Sequence, residues 1–503
     1  MSYSLFIALD PMSSVPMHRQ LSDAIRKAIV EDRLKAGTRL PSTRTLGEEL
    51  RVSRNTILEA FSQLRAEGYL EARIGSGTYV ACRLPERTMS VAAAPTRRLD
   101  VARPPATLSR RGRLLRTSCE APGAQHAGKL AFDPAKPADD LFPAEAWRRL
   151  MARRWSQYPD RALERQDPGG YAPLREAIAQ HACATRGLAC EPEQVVIVSG
   201  ERQGLDLAAR VLTDPGDRVW FEDPGSPHAR NVLALGGADL IPVPVDEDGI
   251  DVGAGVRAAA DARMAYVCPS VQYPLARTMS LERRAALLDW AGAHDAWVIE
   301  DDRDCEFRYS GRPLPAVQAM DAADRVIYMG SFARVLAPAL RMAYLIVPRP
   351  LVDVFVAGAA CPGGDMPTID QAVLADFLAG GHFVRHLRRL RATYDHRRDV
   401  LLDQLETRLG DLLHIAAAPA GTHVVAHLPA ALADTVVAKR CAAVNLVAPA
   451  LSDHAVGRSD LNGVLLGFAP YSDPVIRYGS RCLAEVVHAA SASSSSYSLA
   501  LAA

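Results

Sequence analysis

The chain has 503 residues, 49% hydrophobic and 23% charged, so it exceeds one ordinary domain and has a globular composition. Its 58 Lys+Arg and 58 Asp+Glu balance to a net charge of +0, which excludes an overall basic field as its means of finding nucleic acid, although a small basic module inside a neutral whole remains compatible. No apolar run approaches a membrane span, and nine cysteines without a C-x-x-C pair speak against a disulfide or zinc framework and for a reducing, cytoplasmic setting.

The first residues, MSYSLFIALDPM, lack the basic start and long apolar core of a signal peptide. From residue 16 to 30, apolar side chains recur at helical spacing (Leu21, Ala24, Ile25, Ala28, Ile29), and Lys35-Ala36-Gly37 gives a turn signal. Ser42 reads as the N-cap of a short helix reaching about Leu50. After the turn at Arg51-Val52, Ser53 caps a further helix carrying Arg54, Asn55, Thr56, Ile57, Ala60, Phe61 and Leu64 to a stop at Gly68. Two short helices across a tight turn form a helix-turn-helix pattern. Residues 69–80 read as a hairpin with a glycine-rich tip, Gly75-Ser76-Gly77.

These residue types suit double-stranded DNA. A guanidinium such as that of Arg54 can grip guanine O6 and N7, and an amide such as that of Asn55 can grip adenine. Ser53, Thr56 and helix-terminal amides can hold phosphate. Arg44 lies near the start of the preceding helix, and Gly75 and Gly77 allow close backbone approach at the wing. Taken singly, Ser-Arg-Asn-Thr is only a capped helix start. The ordered string LPSTRTL…VSRNTILEAFSQLRAEGYLEARIGSGTYV, however, resembles the winged helix of the GntR family over residues 11–80. The resemblance implies DNA contacts at Arg44, Ser53, Arg54, Asn55, Thr56, Gly75, Ser76 and Gly77, in a DNA-binding domain spanning residues 1–80.

Residues 81–130 are rich in Ala, Pro and Arg, with Arg97, Arg98, Arg103, Arg110, Arg111, Arg113 and Arg116 among them. They read as a basic tether that can add salt-dependent phosphate contact.

From 131 to 490 strand-like runs (195–198, 219–222, 240–243, 264–268, 297–299, 326–329 and 343–347) alternate with helical segments such as 201–212 and 281–293. The alternation predicts an α/β fold, a mainly parallel sheet with helices on its faces, followed by a smaller α+β lobe from about residue 382. Two of the runs stop at polar clusters, Glu300-Asp301-Asp302-Arg303 and Gly330-Ser331-Phe332-Ala333-Arg334. Strand carboxyl ends are where open α/β sheets hold ligands. Residues 491–503 are Ala/Ser-rich and read as a disordered tail.

In chain order, DPGGYAPLREAIA, VIVSGERQGLDLAARVLTDPGDRVWFEDPGSPHAR, YVCPSVQYPLARTMSLERR, VIEDDRDCEFRYSGRPLP and VIYMGSFARVLAPALRMAYLIVP resemble the fold-type I aminotransferases. Joined to a GntR-type winged helix, the whole is similar to the MocR-type (GabR-like) transcriptional regulators. That resemblance implies a homodimer whose large domain binds pyridoxal 5'-phosphate (PLP) and acts mainly as a sensor. It puts Asp301 at the carboxylate that pairs with the pyridine nitrogen, and Ser331, Arg341 and Gln203 at phosphate contacts. Other positions depart from the family pattern. Glu201 and Arg202 stand in the phosphate loop, Ser226 replaces the stacking aromatic residue, Arg165 and Arg303 replace tyrosines, and Arg334 replaces the Schiff-base lysine.

A Schiff base needs a neutral primary amine, which a guanidinium with a pKa above about 12 does not supply. No lysine lies between Lys136 and Lys439. The expectation is a domain without catalytic residues or a metal site, with covalent PLP chemistry lost and any PLP held non-covalently. Arg165, Arg202, Arg303 and Arg334 fit either a pocket for a small anionic effector or a site released from chemical demand. Three functions are open: a DNA-binding regulator with an aminotransferase-like sensing and dimerisation domain, an aminotransferase fused to a DNA-binding domain, and a ligand-free dimeric DNA binder.

Overall fold

The computed structural model describes residues 7, 9–73, 76–84, 107–118, 131–157, 167–361, 366–416 and 419–501. Gly75 and Arg165 lie outside them. The chain divides into two compact units, residues 1–106 and 107–503.

The first unit is built on short, well-capped helices. Helix α1 spans Met17–Val30, α2 Thr43–Leu50 and α3 Arg54–Ala66. Ser42 Oγ accepts from Thr45 N at 3.1 Å, and Ser53 Oγ accepts from Thr56 N at 3.1 Å. Each cap satisfies an amide that the first helical turn leaves without a partner. Arg51, at φ 56°, ends α2 in a left-handed turn. Leu21, Ile25, Ile29, Leu46, Ile57, Phe61 and Leu64 meet in one core, each large side chain contributing about 1.5–3 kcal/mol by leaving water. Strands β1 (Leu70–Arg73) and β2 (Gly77–Val80) form an antiparallel hairpin with Arg73 opposite Gly77.

In the second unit, Arg110–Ser118 is a helix within the stretch whose composition predicts an irregular tether. Its central sheet contains β3 (Val195–Val198), β4 (Arg218–Asp223), β5 (Asp239–Asp246), β6 (Gly249–Ile250), β7 (Met264–Val267), β8 (Trp297–Asp301), β9 (Val326–Ser331) and β10 (Ala343–Ile346). Their order is β3-β10-β9-β8-β7-β4-β5-β6. Strands β9, β8, β7, β4 and β5 are parallel, whereas β10 is antiparallel to both β9 and β3. The reversal has a simple cause. A parallel return needs a crossover of a dozen or so residues, usually helical, and between β9 and β10 the chain forms only the short 3-10 turn Pro338–Leu340. Every residue of β3, β7 and β10 is buried, as strands covered on both faces require.

The smaller lobe carries the antiparallel strands β11 (His414–Ile415), β12 (His423–His427) and β13 (Gly463–Gly467). The segment that enters the unit joins this lobe: Ala131 bridges Leu446 and Phe132 bridges Gly467. Only glycine fits at 467, because a Cβ there would lie 2.4 Å from Asp133 O. The C-terminal end also differs from its compositional expectation. The helix Asp473–Leu501 runs through most of the Ala/Ser stretch. Its first turns are anchored by buried Ile476, Leu483 and Val487, and propagation through alanines from a formed helix is favourable. No helix among the described residues is long and apolar enough to cross a membrane.

Candidate functional site

Two sites emerge, one in each unit. In the first, α3 begins with Arg54 and Asn55, both exposed and without a hydrogen bond or ion pair among the described residues. Their neighbours are engaged: the Ser53 and Thr56 hydroxyls lie 2.8 Å apart within the cap. Arg44 has an 85% exposed side chain and, among the described residues, reaches only its helix neighbour Glu48, at 3.2 Å, an exposed pair of low cost to exchange for a phosphate. In the hairpin, Ser76 Oγ and Tyr79 Oη are 2.5 Å apart, and the Arg73 guanidinium lies 4.7 Å from the Tyr79 ring centroid. Gly77 has φ +118°, and a Cβ there would meet Arg39 Nε at 3.2 Å. Arg39 also bridges Tyr79. Arg73, the last residue of β1, and Arg39, which precedes α2 in sequence and reaches the hairpin through its bridge to Tyr79, are thus basic residues at the wing that motif reading passed over.

In the second unit, the carboxyl ends of β4, β7, β8 and β9 open onto a cleft of about 430 Å³. The cluster Glu300–Asp304 distributes its acids in different directions. Glu300 accepts from Val317 N and Gln318 N, both at 2.8 Å. Asp302 accepts from Arg186 Nε at 2.6 Å and from Tyr328 Oη at 2.7 Å. Asp301 faces the cleft, where Tyr266 Oη donates to its Oδ2 at 2.5 Å. Burial, and then nearby Glu201, push the Asp301 pKa up, with Arg303 opposing. Behind it, burial pushes Glu222 up to about 7, although Cys268 N donates to it at 3.1 Å and Gln272 Nε2 at 3.2 Å.

Asp304 receives Arg334 in a two-point pair, Nε to Oδ1 at 3.0 Å and an Nη to Oδ2 at 3.1 Å. The other Nη of Arg334 donates to Pro134 O at 3.1 Å and Ala135 O at 3.0 Å, and Thr422 Oγ1 completes the set. The pair is nearly dry, with side-chain exposures of 10% and 3%. Burial alone would raise the Asp304 pKa, but Arg334 and Arg303 hold it below its usual range. Arg334 therefore ties the end of β8, the entry segment and the small lobe together.

The other arginines behave differently. Arg202 is exposed and lies 3.1 Å from His228 Nδ1. Arg303 stacks over the Tyr273 ring at 4.6 Å. Arg202, Arg303 and Arg334 all line the cleft, together with Asp301 and Glu201. The remaining expected cofactor contacts do not line it. Gln203 Oε1 takes Ser199 N at 2.5 Å, Ser331 Oγ accepts from Ala333 N at 3.2 Å, and Arg341 is exposed at φ 49°. Ser226 caps the helix Pro227–Gly236 through Ala229 N. Tyr266, Asp304, Thr422 and His454 escaped the sequence reading. Asp304 belongs to the acidic cluster, but nothing near Thr422 or His454 in sequence points to the cleft.

A capped helix-turn-helix with a wing, followed by an α/β unit with a cleft at its strand ends, defines a DNA-binding regulator carrying an enzyme-like domain. Residues 17–80 match the family model for bacterial regulatory proteins of the gntR family, and residues 136–456 match that for aminotransferase class I and II. The chain is 39% identical over 478 residues to the probable rhizopine catabolism regulatory protein MocR of Rhizobium meliloti, covering 95% of each chain. It is 35% identical over 489 residues to the HTH-type pyridoxine biosynthesis transcriptional regulator PdxR of Corynebacterium glutamicum, covering 96% of this chain and 98% of that one. Among solved structures, LysN, the α-aminoadipate aminotransferase of Thermus thermophilus, matches with a TM-score of 0.70 and 26% identity over 76% of this chain and 98% of that one. The chain belongs to the MocR-type transcriptional regulators, in which a GntR winged helix is fused to an aminotransferase class I and II domain. The fold of that second domain is one associated with PLP.

Proposed function

We propose that this regulator senses a small molecule in the cleft of its aminotransferase-like domain without Schiff-base chemistry. It reads duplex DNA as a homodimer, one winged helix per half-site. The reading contacts are Arg44, Ser53, Arg54, Asn55, Thr56, Gly75, Ser76 and Gly77, with Arg54 and Asn55 at base edges and the others at the backbone.

The observation that carries the sensing half is the state of Arg334. It stands where the family resemblance places the Schiff-base lysine, and its donors are all directed at Asp304, Thr422, Pro134 and Ala135. Among the described residues, no lysine lines the cleft. PLP supplies an electron sink when bound to an enzyme of this fold, but the residues present do not fit its covalent attachment. Asp301, the partner for a pyridine nitrogen, is held by Tyr266, and its ionised form is disfavoured by burial and by Glu201. Gln203 and Ser331 are turned to backbone amides.

The test is to incubate the purified protein with PLP, reduce with borohydride and weigh it. The expected result is a colourless protein of unchanged mass; a trapped phosphopyridoxyl adduct would overturn this reading.

A further inference from the structure

A second cavity in the same unit shares no lining residue with the cleft. Its volume of about 10 Å³ is about enough for one water-sized body. Four stretches of chain converge on it. The helix Ala172–Arg186 brings Arg186 as its last residue, and the loop after β7 brings Ser270 and Thr278. The helix Leu281–Ala293 brings Arg284, and the segment after β8 brings Cys305 and Arg308. Among the described residues, no carboxylate lines this cavity.

The three guanidinium groups are unequally matched. Arg186 has its counter-ion: Asp302 accepts from its Nε at 2.6 Å and from an Nη at 3.1 Å. Arg284 is fully buried, yet its bonds go to neutral carbonyl oxygens, those of Met279 at 3.0 Å, Pro315 at 2.7 Å and Pro269 at 2.9 Å. Arg308 is half-buried and donates to Thr278 Oγ1 at 2.8 Å and to Ser310 O at 3.4 Å. Neither Arg284 nor Arg308 forms an ion pair among the described residues. The nearby acids are committed elsewhere, Asp302 to Arg186 and Tyr328, Glu300 to two backbone amides. Burial pushes the Arg284 pKa down; Glu300 and Asp302 oppose the push, and Arg186 and Arg308 add to it. Burial, and then Arg186, push Arg308 the same way. Buried cations are ordinarily paired. Ser270 Oγ accepts from Arg186 at 2.8 Å, which leaves its own hydrogen to donate.

We propose that this cavity is an anion site for one halide-sized, singly charged ion such as chloride, held by Arg284 and Arg308 with Ser270 as a neutral donor. Charge-assisted bonds from both guanidinium groups would supply the counter-charge that the fold does not. The size excludes phosphate, sulfate and carboxylates. The ion sits at a junction: Arg308 forms a backbone bridge to Ala420, and Tyr309 Oη donates to Gly421 O at 2.6 Å, so its binding steadies the join between the strand-end segment and the smaller lobe.

In the experiment, full-length protein is melted in rising potassium chloride or potassium bromide, with potassium gluconate, whose anion is too large for the cavity, holding the ionic strength constant. The melting temperature is expected to rise with halide and to saturate. Arg308→Gln should raise the half-saturating halide concentration by about tenfold or more, and Arg308→Lys should recover part of the loss. Ser270→Ala, which removes only a hydroxyl, should weaken halide by less, and it carries the test if Arg308→Gln does not fold by circular dichroism. Anomalous scattering from crystals grown in bromide should place the ion beside Arg284 and Arg308. A water in that position, a melting temperature indifferent to halide, or an unchanged halide response in the folded variants overturns the inference. Bromide seen there in the crystal without a response in solution is an adventitious ion only and overturns it as well. The borohydride result bears on the cleft and leaves this site untouched.

Discussion

The start of α3 and the cleft around Arg334 use the same residue types in opposite ways. At the helix start, the guanidinium of Arg54 and the amide of Asn55 are exposed and without partners among the described residues, while the capping hydroxyls beside them are engaged. In the cleft, the Arg334 guanidinium is buried and every one of its contacts is internal. An arginine that recognises something outside the fold keeps its donors open; one that holds the fold together gives them up. Arg303, which lines the same cavity, lies between the two cases: it stacks on Tyr273 at 4.6 Å and helps hold Asp304 in its charged form.

The contrast can be broken most directly at Arg334. Arg334→Met would leave Asp304 buried without its main partner, and loss of one member of a buried pair costs about 3–5 kcal/mol. Urea unfolding of the second unit should show a loss of that order. Adding Asp304→Asn should recover part of it, whereas a stability unchanged from wild type would mean that Arg334 is not the tie described here.

The next largest effect is expected at the reading edge. Arg54→Ala and Asn55→Ala should each weaken operator binding by about 1–3 kcal/mol and relax base preference at one position, with thermal stability unchanged. Wild-type affinity in a fluorescence-anisotropy titration would move the reading edge elsewhere. Ser53→Ala removes the cap on α3, so about 1 kcal/mol should be lost from the stability of the first unit. If the affinity loss exceeds the stability loss, Ser53 touches DNA as well.

The smallest effect is on pH. Because Asp304 has a lowered pKa in the folded protein, its contribution to stability is complete above the ordinary carboxylate value of about 4 and is lost as pH falls through the lowered folded value. In Arg334→Met that acid-side loss should shrink, with Arg303 sustaining the remainder. An identical acid profile in the variant would exclude the pair as its source.

Much of the first unit was legible in advance because its determinants are local. Ser42 and Ser53 cap helices a few residues away, Leu21 to Ile29 repeat at helical spacing, and the hairpin pairs neighbours in sequence. In the second unit, the strands announced themselves as apolar runs and Asp301 as an acid at a strand end. The reversed direction of β10 was less accessible, since it follows from the short β9–β10 connection rather than from the composition of either strand. The helix through the Ala/Ser stretch does not follow from composition, because alanine and serine enrichment is common to irregular tails and to helices propagated from a packed start.

The sequence by itself determined which groups were available: an arginine and no lysine through the whole stretch from 137 to 438, hence no primary amine from that stretch for a Schiff base. What it left open was whether Arg334 was a free cation in a repurposed pocket, a residue released from demand, or something else. Only the tertiary structure decided that. The answer lies with Asp304, Thr422 and Pro134, which are 30, 88 and 200 positions away. A guanidinium's role depends on which acceptors the fold brings within about 3 Å of it, and that proximity is not a property of any local stretch of sequence.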